Sequence, residues 1–111
     1  MKINSLELFA LKMVFNGPGA LEKSVCAQLS LIEVISRVDT GVGFFSTFRL
    51  QYPLQEISQR QWDWNFAHLN LSHGGSFMCF IESEEIIELE GISHNGNWPK
   101  IFNPEDFKGA M

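Results

Sequence analysis

The sequence has two cysteines, one tyrosine and only eight basic side chains among its 111 residues. None of its apolar runs approaches the roughly 20 residues needed to span a bilayer. Each scarcity excludes something. Cys26 and Cys79 fall in segments that read as a helix and a buried strand, so each is expected to be a reduced thiol acting as a small hydrophobe, not half of a disulfide. Eight Lys and Arg against thirteen Asp and Glu give a formal charge of -5, which opposes non-specific binding to a phosphate backbone. Nucleic acid is therefore a poor partner and a basic protein a better one. Near the start, Lys2 is the only positive residue before Glu7 and Lys12 interrupt the apolar stretch, and no small-residue cleavage site follows. A cytoplasmic protein with no membrane partner is expected.

The patterns that carry chemistry are also missing. Gly41-Val42-Gly43 lacks the third glycine of a dinucleotide loop and runs into strand-like residues, so it reads as a bulge or a close backbone approach where a strand begins. His68, His73 and His94 show none of the close spacing of a structural zinc site, and no metal or other cofactor is expected. Cys79 sits mid-strand between bulky apolar neighbours, where burial raises a thiol pKa and suppresses reactivity. Ser46, Ser72 and Ser76 carry no signature of an activated nucleophile. No catalytic residue is assigned, and the chain reads as a non-enzyme.

What is present is apolar and aromatic: 45% of residues are hydrophobic, with ten phenylalanines and three tryptophans. At this length about two thirds of the unfolded chain's surface can be buried, enough for one core without metals or disulfides. Residues 1–111 read as a single domain. Leu6, Phe9, Ala10, Met13 and Val14 mark one face of a helix over 5–15, with Asn4 capping it and Glu7 reaching back to the Asn4 amide. Asn16-Gly17-Pro18-Gly19 stops it. Leu21, Val25 and Leu29 then repeat every fourth residue in a second helix, so the pair reads as a helical hairpin.

Strands follow. Ile32, Val34, Ile35 and Val38 favour one over about 31–38, and Val42–Leu50 alternates cleanly. Tyr52–Gln61 is polar and aperiodic, a surface loop. Trp62–Leu71 fits another strand, its apolar parity shifting at a bulge near His68. Ser72-His73-Gly74-Gly75 reads as a turn, after which Phe77–Glu82 and Glu85–Ile92 form a hairpin around Ser83-Glu84. If Glu82 faces Glu85, Phe80 opposes Ile87 and Met78 opposes Leu89. The tail from His94 to Met111 is expected to wrap the domain irregularly, anchored by Trp98, Ile101, Phe102 and Phe107. The class is α+β: an N-terminal helical hairpin packed on an antiparallel sheet of about four to five strands.

The strongest electrostatic signal is Glu82, Glu84, Glu85, Glu88 and Glu90, five carboxylates within nine residues of one hairpin. Charged hairpin tips deter strand-to-strand association, which accounts for such a run without function. The functional reading is an acidic surface that steers a basic partner, helped by Asp39, Trp62 and Asp63. Trp64 is expected in the core, and Trp62 and Trp98 partly exposed.

The run Val34–Phe48, containing Thr40-Gly41-Val42-Gly43-Phe44-Phe45-Ser46-Thr47-Phe48, together with Gly74-Gly75, Phe77–Glu82 and Leu89-Glu90-Gly91 before Trp98-Pro99, resembles a small bacterial domain family. The resemblance implies a bacterial single-domain protein and transfers no catalytic residue. By analogy with small acidic neutralising proteins, the expected function is that of an immunity protein against a basic bacterial toxin, for example in contact-dependent growth inhibition, acting by occlusion of the toxin's active site. The alternative is a small-molecule-binding or enzymatic domain with a pocket between helices and sheet, using His68, His73 or Glu82. A dimeric module pairing through an exposed strand is the third reading.

Overall fold

The computed structural model describes residues 1–110, so Met111, the end of the expected tail, lies outside the described residues. Helix α1 spans Ser5–Val14 and helix α2 spans Ala20–Ala27, followed by a short 3-10 turn at Leu29–Leu31. Six strands complete the chain: β1 Glu33–Asp39, β2 Gly43–Arg49, β3 Gln61–His68, β4 Leu71–Ile81, β5 Ile86–Ser93 and β6 Phe107–Gly109. They form one antiparallel sheet in the order β1-β2-β5-β4-β3-β6. The class is α+β, with six strands where four to five were expected. The additional strand is β6, in which the tail returns to pair with β3 through Phe66, Ala67 and His68.

Helix α1 begins as its sequence dictates. The Glu7 amide donates to Asn4 Oδ1 at 2.8 Å, and the Asn4 amide donates to Glu7 Oε1 at 2.9 Å, a reciprocal capping box. Its buried stripe is Glu7, Ala10, Leu11 and Val14, with Leu6 and Phe9 half-buried beside it. That stripe sits slightly round the helix from the expected one, because α1 crosses β3 and β4 with Phe9 reaching toward the tail aromatics Phe102 and Phe107. The helix packing does not establish the expected hairpin: α1 packs on β3 and β4, whereas α2 buries Val25 and touches the end of α1 where Cys26 Sγ donates to the Phe15 carbonyl at 3.3 Å.

Two further expectations are corrected and one is met. The turn between β3 and β4 is Leu69-Asn70, so Ser72-His73-Gly74-Gly75 lies inside β4. Two glycines are needed there because Gly74 has φ +65°, and a Cβ on Gly75 would lie 2.7 Å from the Phe66 ring. The predicted irregularity near His68 does occur, between Phe66 and His68. In the β4–β5 hairpin, Ile81 pairs with Ile87, Phe80 with Glu88, Cys79 with Leu89 and Met78 with Glu90, one residue away from the expected register. A one-residue slip exchanges faces. Cys79, Ile81, Ile87 and Leu89 therefore face the helices and are buried, while Met78, Phe80, Glu88 and Glu90 face the other way.

The core lies between the sheet and the helices, centred on Phe77. Its ring stacks on Trp64 at 6.0 Å between centroids and meets Phe66 at 4.9 Å and Phe107 at 5.7 Å. The loop from Leu50 to Arg60 is less superficial than its polar composition implied. Leu54 is buried, and the Leu50 and Leu54 amides donate to the carbonyls of Glu85 and Glu84, tying the loop to the β4–β5 tip.

Candidate functional site

The helices cover one face of the sheet and leave the other open. On the open face, cross-strand pairing sets out two rows of side chains. One runs Val38, Phe45, Glu90, Met78, Asp63 across β1, β2, β5, β4 and β3; the next runs Ser36, Thr47, Glu88, Phe80, Gln61. Phe45, Met78, Phe80, Glu88 and Glu90 are all half-buried by their neighbours alone. Val38, at the edge, is 54% exposed.

Glu88 and Glu90 are two residues apart on this face, which places their Cα atoms roughly 7 Å apart along a central strand. Burial pushes the Glu90 carboxyl above its ordinary value, and the charge on Glu88 pushes it further in the same direction. Among the described residues the one ion pair is Glu7 with Arg37, so neither Glu88 nor Glu90 is in an ion pair within the chain, the cation on the same face being Arg49, diagonal to Glu88. The Glu90 charge, set between Phe45 and Met78 and beside Glu88, costs the fold stability at neutral pH.

The eight residues expected to bind a partner fall in three places. Asp63, Glu88 and Glu90 share the open face. Glu82, Glu84 and Glu85 are exposed at the β4–β5 tip, where Ser83 Oγ accepts from the Ile86 amide at 3.2 Å. Trp62 and Asp39 lie apart from both. Trp62 points to the helix side and meets the buried Phe15 at 5.2 Å between ring centroids. Asp39 ends β1, its Oδ1 accepting from the Gly41 amide at 2.8 Å. Trp64 packs against the core half-buried, as do Trp62 and Trp98.

A second feature lies at the far end of α1. A cleft of about 650 Å³ opens between the first turn of α1, the ends of β1 and β2, and tail residues 97–102. Its floor is Glu7, only 1% exposed and yet charged. Burial alone would raise this carboxyl; hydrogen bonds from Arg37, Ser46 and the Asn4 amide, with the Arg37 charge, more than offset that and hold it below its ordinary value. Arg37 Nε donates to Oε2 at 2.7 Å and Nη2 to Oε1 at 2.8 Å, while Ser46 Oγ donates to Oε2 at 2.6 Å. The walls are aromatic: Phe44 and Trp98 meet edge to face at 5.5 Å, with Phe102 opposite on the tail.

Arg37, Ser46 and the Trp98 wall had no signal in the sequence as a site, and Glu7 read only as a cap. Thirty residues separate Glu7 from Arg37, and the bulge between Val34 and Ser36 is what sets Arg37 on the helix side.

The remaining candidates resolve individually. His68 is buried in the core; its Nδ1 accepts from the Asn70 amide at 3.0 Å, so the ring proton sits on Nε2, which has no polar partner among the described residues. His73 and His94 come together on the open side, His94 Nδ1 lying 3.1 Å from the His73 carbonyl and Nε2 2.8 Å from Ser76 Oγ. Ser76 also donates to Asn65 Oδ1 at 2.5 Å and is 6% exposed, which closes its hydroxyl against a substrate. Cys26 and Cys79 are free thiols; burial pushes both above their ordinary value, Cys79 strongly. No group of three or more His, Cys, Asp or Glu placed to hold a metal ion occurs among the described residues, and none of its helices is long and apolar enough to cross a membrane.

No known protein family, curated protein or solved structure matches this chain.

Proposed function

We propose that this chain is a protein-binding domain that docks a basic partner on its open sheet face, and that it serves as a cytoplasmic immunity protein neutralising a bacterial toxin by occluding the toxin's basic active site. The observation that carries the reading is the Glu88–Glu90 pair. Folding loses stability by holding the Glu90 carboxylate beside Glu88 among Phe45, Met78 and Phe80, whereas a cationic partner would pair with both and bury the aromatics with them. The exposed Glu82, Glu84 and Glu85 at the tip extend the negative field and would raise the encounter rate. Binding is the proposed activity, with no catalytic step and no cofactor, and the net charge of -5 keeps nucleic acid off the same face.

The test is affinity capture from the cells that make the protein, comparing the wild-type chain with Glu88→Lys/Glu90→Lys. The wild type is expected to retain a basic protein that the double variant loses, circular dichroism showing both folded. Glu90→Gln provides a second arm: relieved of like-charge repulsion, it is expected to melt no lower than wild type while holding the partner less tightly. Equal capture by the wild type and both variants, or a captured partner that is acidic, would rule this surface out.

A further inference from the structure

We propose that the cleft beside Glu7 is a binding site for a small organic carboxylate carrying a flat apolar group. The inference stands apart from the docking face, which lies on the opposite side of the sheet. At about 650 Å³, the cleft falls within the range of about 300–1,000 Å³ that sites for small molecules occupy.

Hydrogen-bonding capacity sets the charge of the ligand. Glu7 already accepts four bonds, two at each oxygen, from the Asn4 amide, Ser46 and two nitrogens of Arg37, and has no capacity left for a ligand. Arg37 commits Nε and Nη2 to Glu7 and to the Lys2 carbonyl, but its Nη1 group meets only the Met1 sulfur, at 3.7 Å. Asn4 uses its carbonyl oxygen for the helix cap, which leaves its amide NH₂ free. Lys100, also lining the cleft, forms no ion pair among the described residues. Against these three donors stands one uncommitted oxygen of Asp39, whose Oδ1 is taken by the Gly41 amide. The surplus of donors recognises an acceptor with no hydrogens of its own, and a carboxylate can accept from the remaining Arg37 Nη1 group and from Lys100 together.

The walls set the shape. Phe44, Trp98 and Phe102 offer ring faces and edges to a planar apolar body, and the Trp98 amide, bonded at 2.9 Å to the Gly41 carbonyl, fixes the tail in place against β2. Glu7 acts as the positioning residue that holds Arg37 across the floor. The class is therefore an aryl or indolyl acid of about ten to fifteen heavy atoms, weakly bound when small.

Phenylacetate, indole-3-acetate, phenylacetamide and phenethylamine, titrated into the full chain by calorimetry, with tryptophan fluorescence for the three that carry no indole, test the proposal. The two acids are expected to bind with a dissociation constant of about 1 mM or tighter, and the amide and amine at least about tenfold more weakly. Lys100→Gln, a surface change that leaves the Glu7 floor untouched, should weaken the acids about five- to tenfold. Trp98→Phe should remove the fluorescence response while retaining calorimetric heat. If the amine binds better than the acids, Asp39 is the anchor and the proposal is wrong. It is equally overturned if no acid binds below about 10 mM, or if Lys100→Gln binds as wild type does.

Discussion

Arg37→Leu would strand the Glu7 carboxylate. In the native fold that carboxylate is 1% exposed and receives two hydrogen bonds from Arg37, leaving Ser46 and the Asn4 amide when the guanidinium is gone. Removing one partner of a buried pair costs about 3–5 kcal/mol in well-enclosed cases. Arg37 is itself 35% exposed, and water entering its place screens part of the loss, so about 2–3 kcal/mol is the working figure. For a domain of this size that corresponds to a fall in Tm of about 8–15 °C.

The pH dependence is more diagnostic than the size. In the wild type Glu7 is held below its ordinary value, so its contribution is fully present above the unfolded-state pKa and is lost as pH falls through the folded one. In the variant burial dominates and the carboxyl rises, so it takes up its proton more readily in the folded chain than in the unfolded one. The stability gap should be widest near pH 7 and should narrow below about pH 4.5. Urea unfolding followed by circular dichroism at pH 7 and pH 4 measures both quantities. A variant less than about 0.5 kcal/mol less stable than wild type at pH 7, or a gap that does not change with pH, would refute the buried, ionised Glu7.

Two other predictions follow from the core. Burial holds His68 below its ordinary value despite the opposing charge of Asp106, so the unfolded chain binds a proton that the folded chain resists. Stability should therefore decline as pH drops through about 6.5, and His68→Leu should flatten the difference in urea midpoint between pH 7.5 and pH 5.5; equal slopes would contradict the assignment. Gly43→Ala would drive a Cβ into the Gly91 carbonyl oxygen, backbone against backbone, and should cost about 2 kcal/mol or more, whereas Gly109→Ala, whose Cβ makes only ordinary contacts with Trp64, should be nearly neutral. Equal urea midpoints for the two would show that β2 and β5 do not approach as described.

The parts of this fold legible in the sequence are those with one strong local signal. The α1 cap needed only Asn4 and Glu7, and β2 needed only its alternation. The irregularity near His68 announced itself as a change of parity. The β4–β5 register did not, because Phe77–Ile81 is apolar at every position and offers both faces equally, so the four-residue loop over 82–85 decides it. Gly74-Gly75 looked like a turn because glycine serves turns; here it makes room for Phe66. Of the expected partner-binding residues, the sequence grouped those close along the chain, while the sheet separated Trp62 from its neighbour Asp63 by facing them in opposite directions. The cleft was invisible because its floor and walls come from residues 4–7, 37–46 and 97–107, whose convergence is a property of the topology.

The molecule measures 38 × 30 × 20 Å and consists of a single sheet with one helical layer on it. A fully covered sheet needs a second layer about 10 Å away on its other side. This chain has one such layer, and under the proposed docking a partner seated on Phe45, Met78, Phe80, Glu88 and Glu90 would supply the second. Such a partner would complete a core, and the central strands β4 and β5 would then be enclosed on both faces by two different proteins.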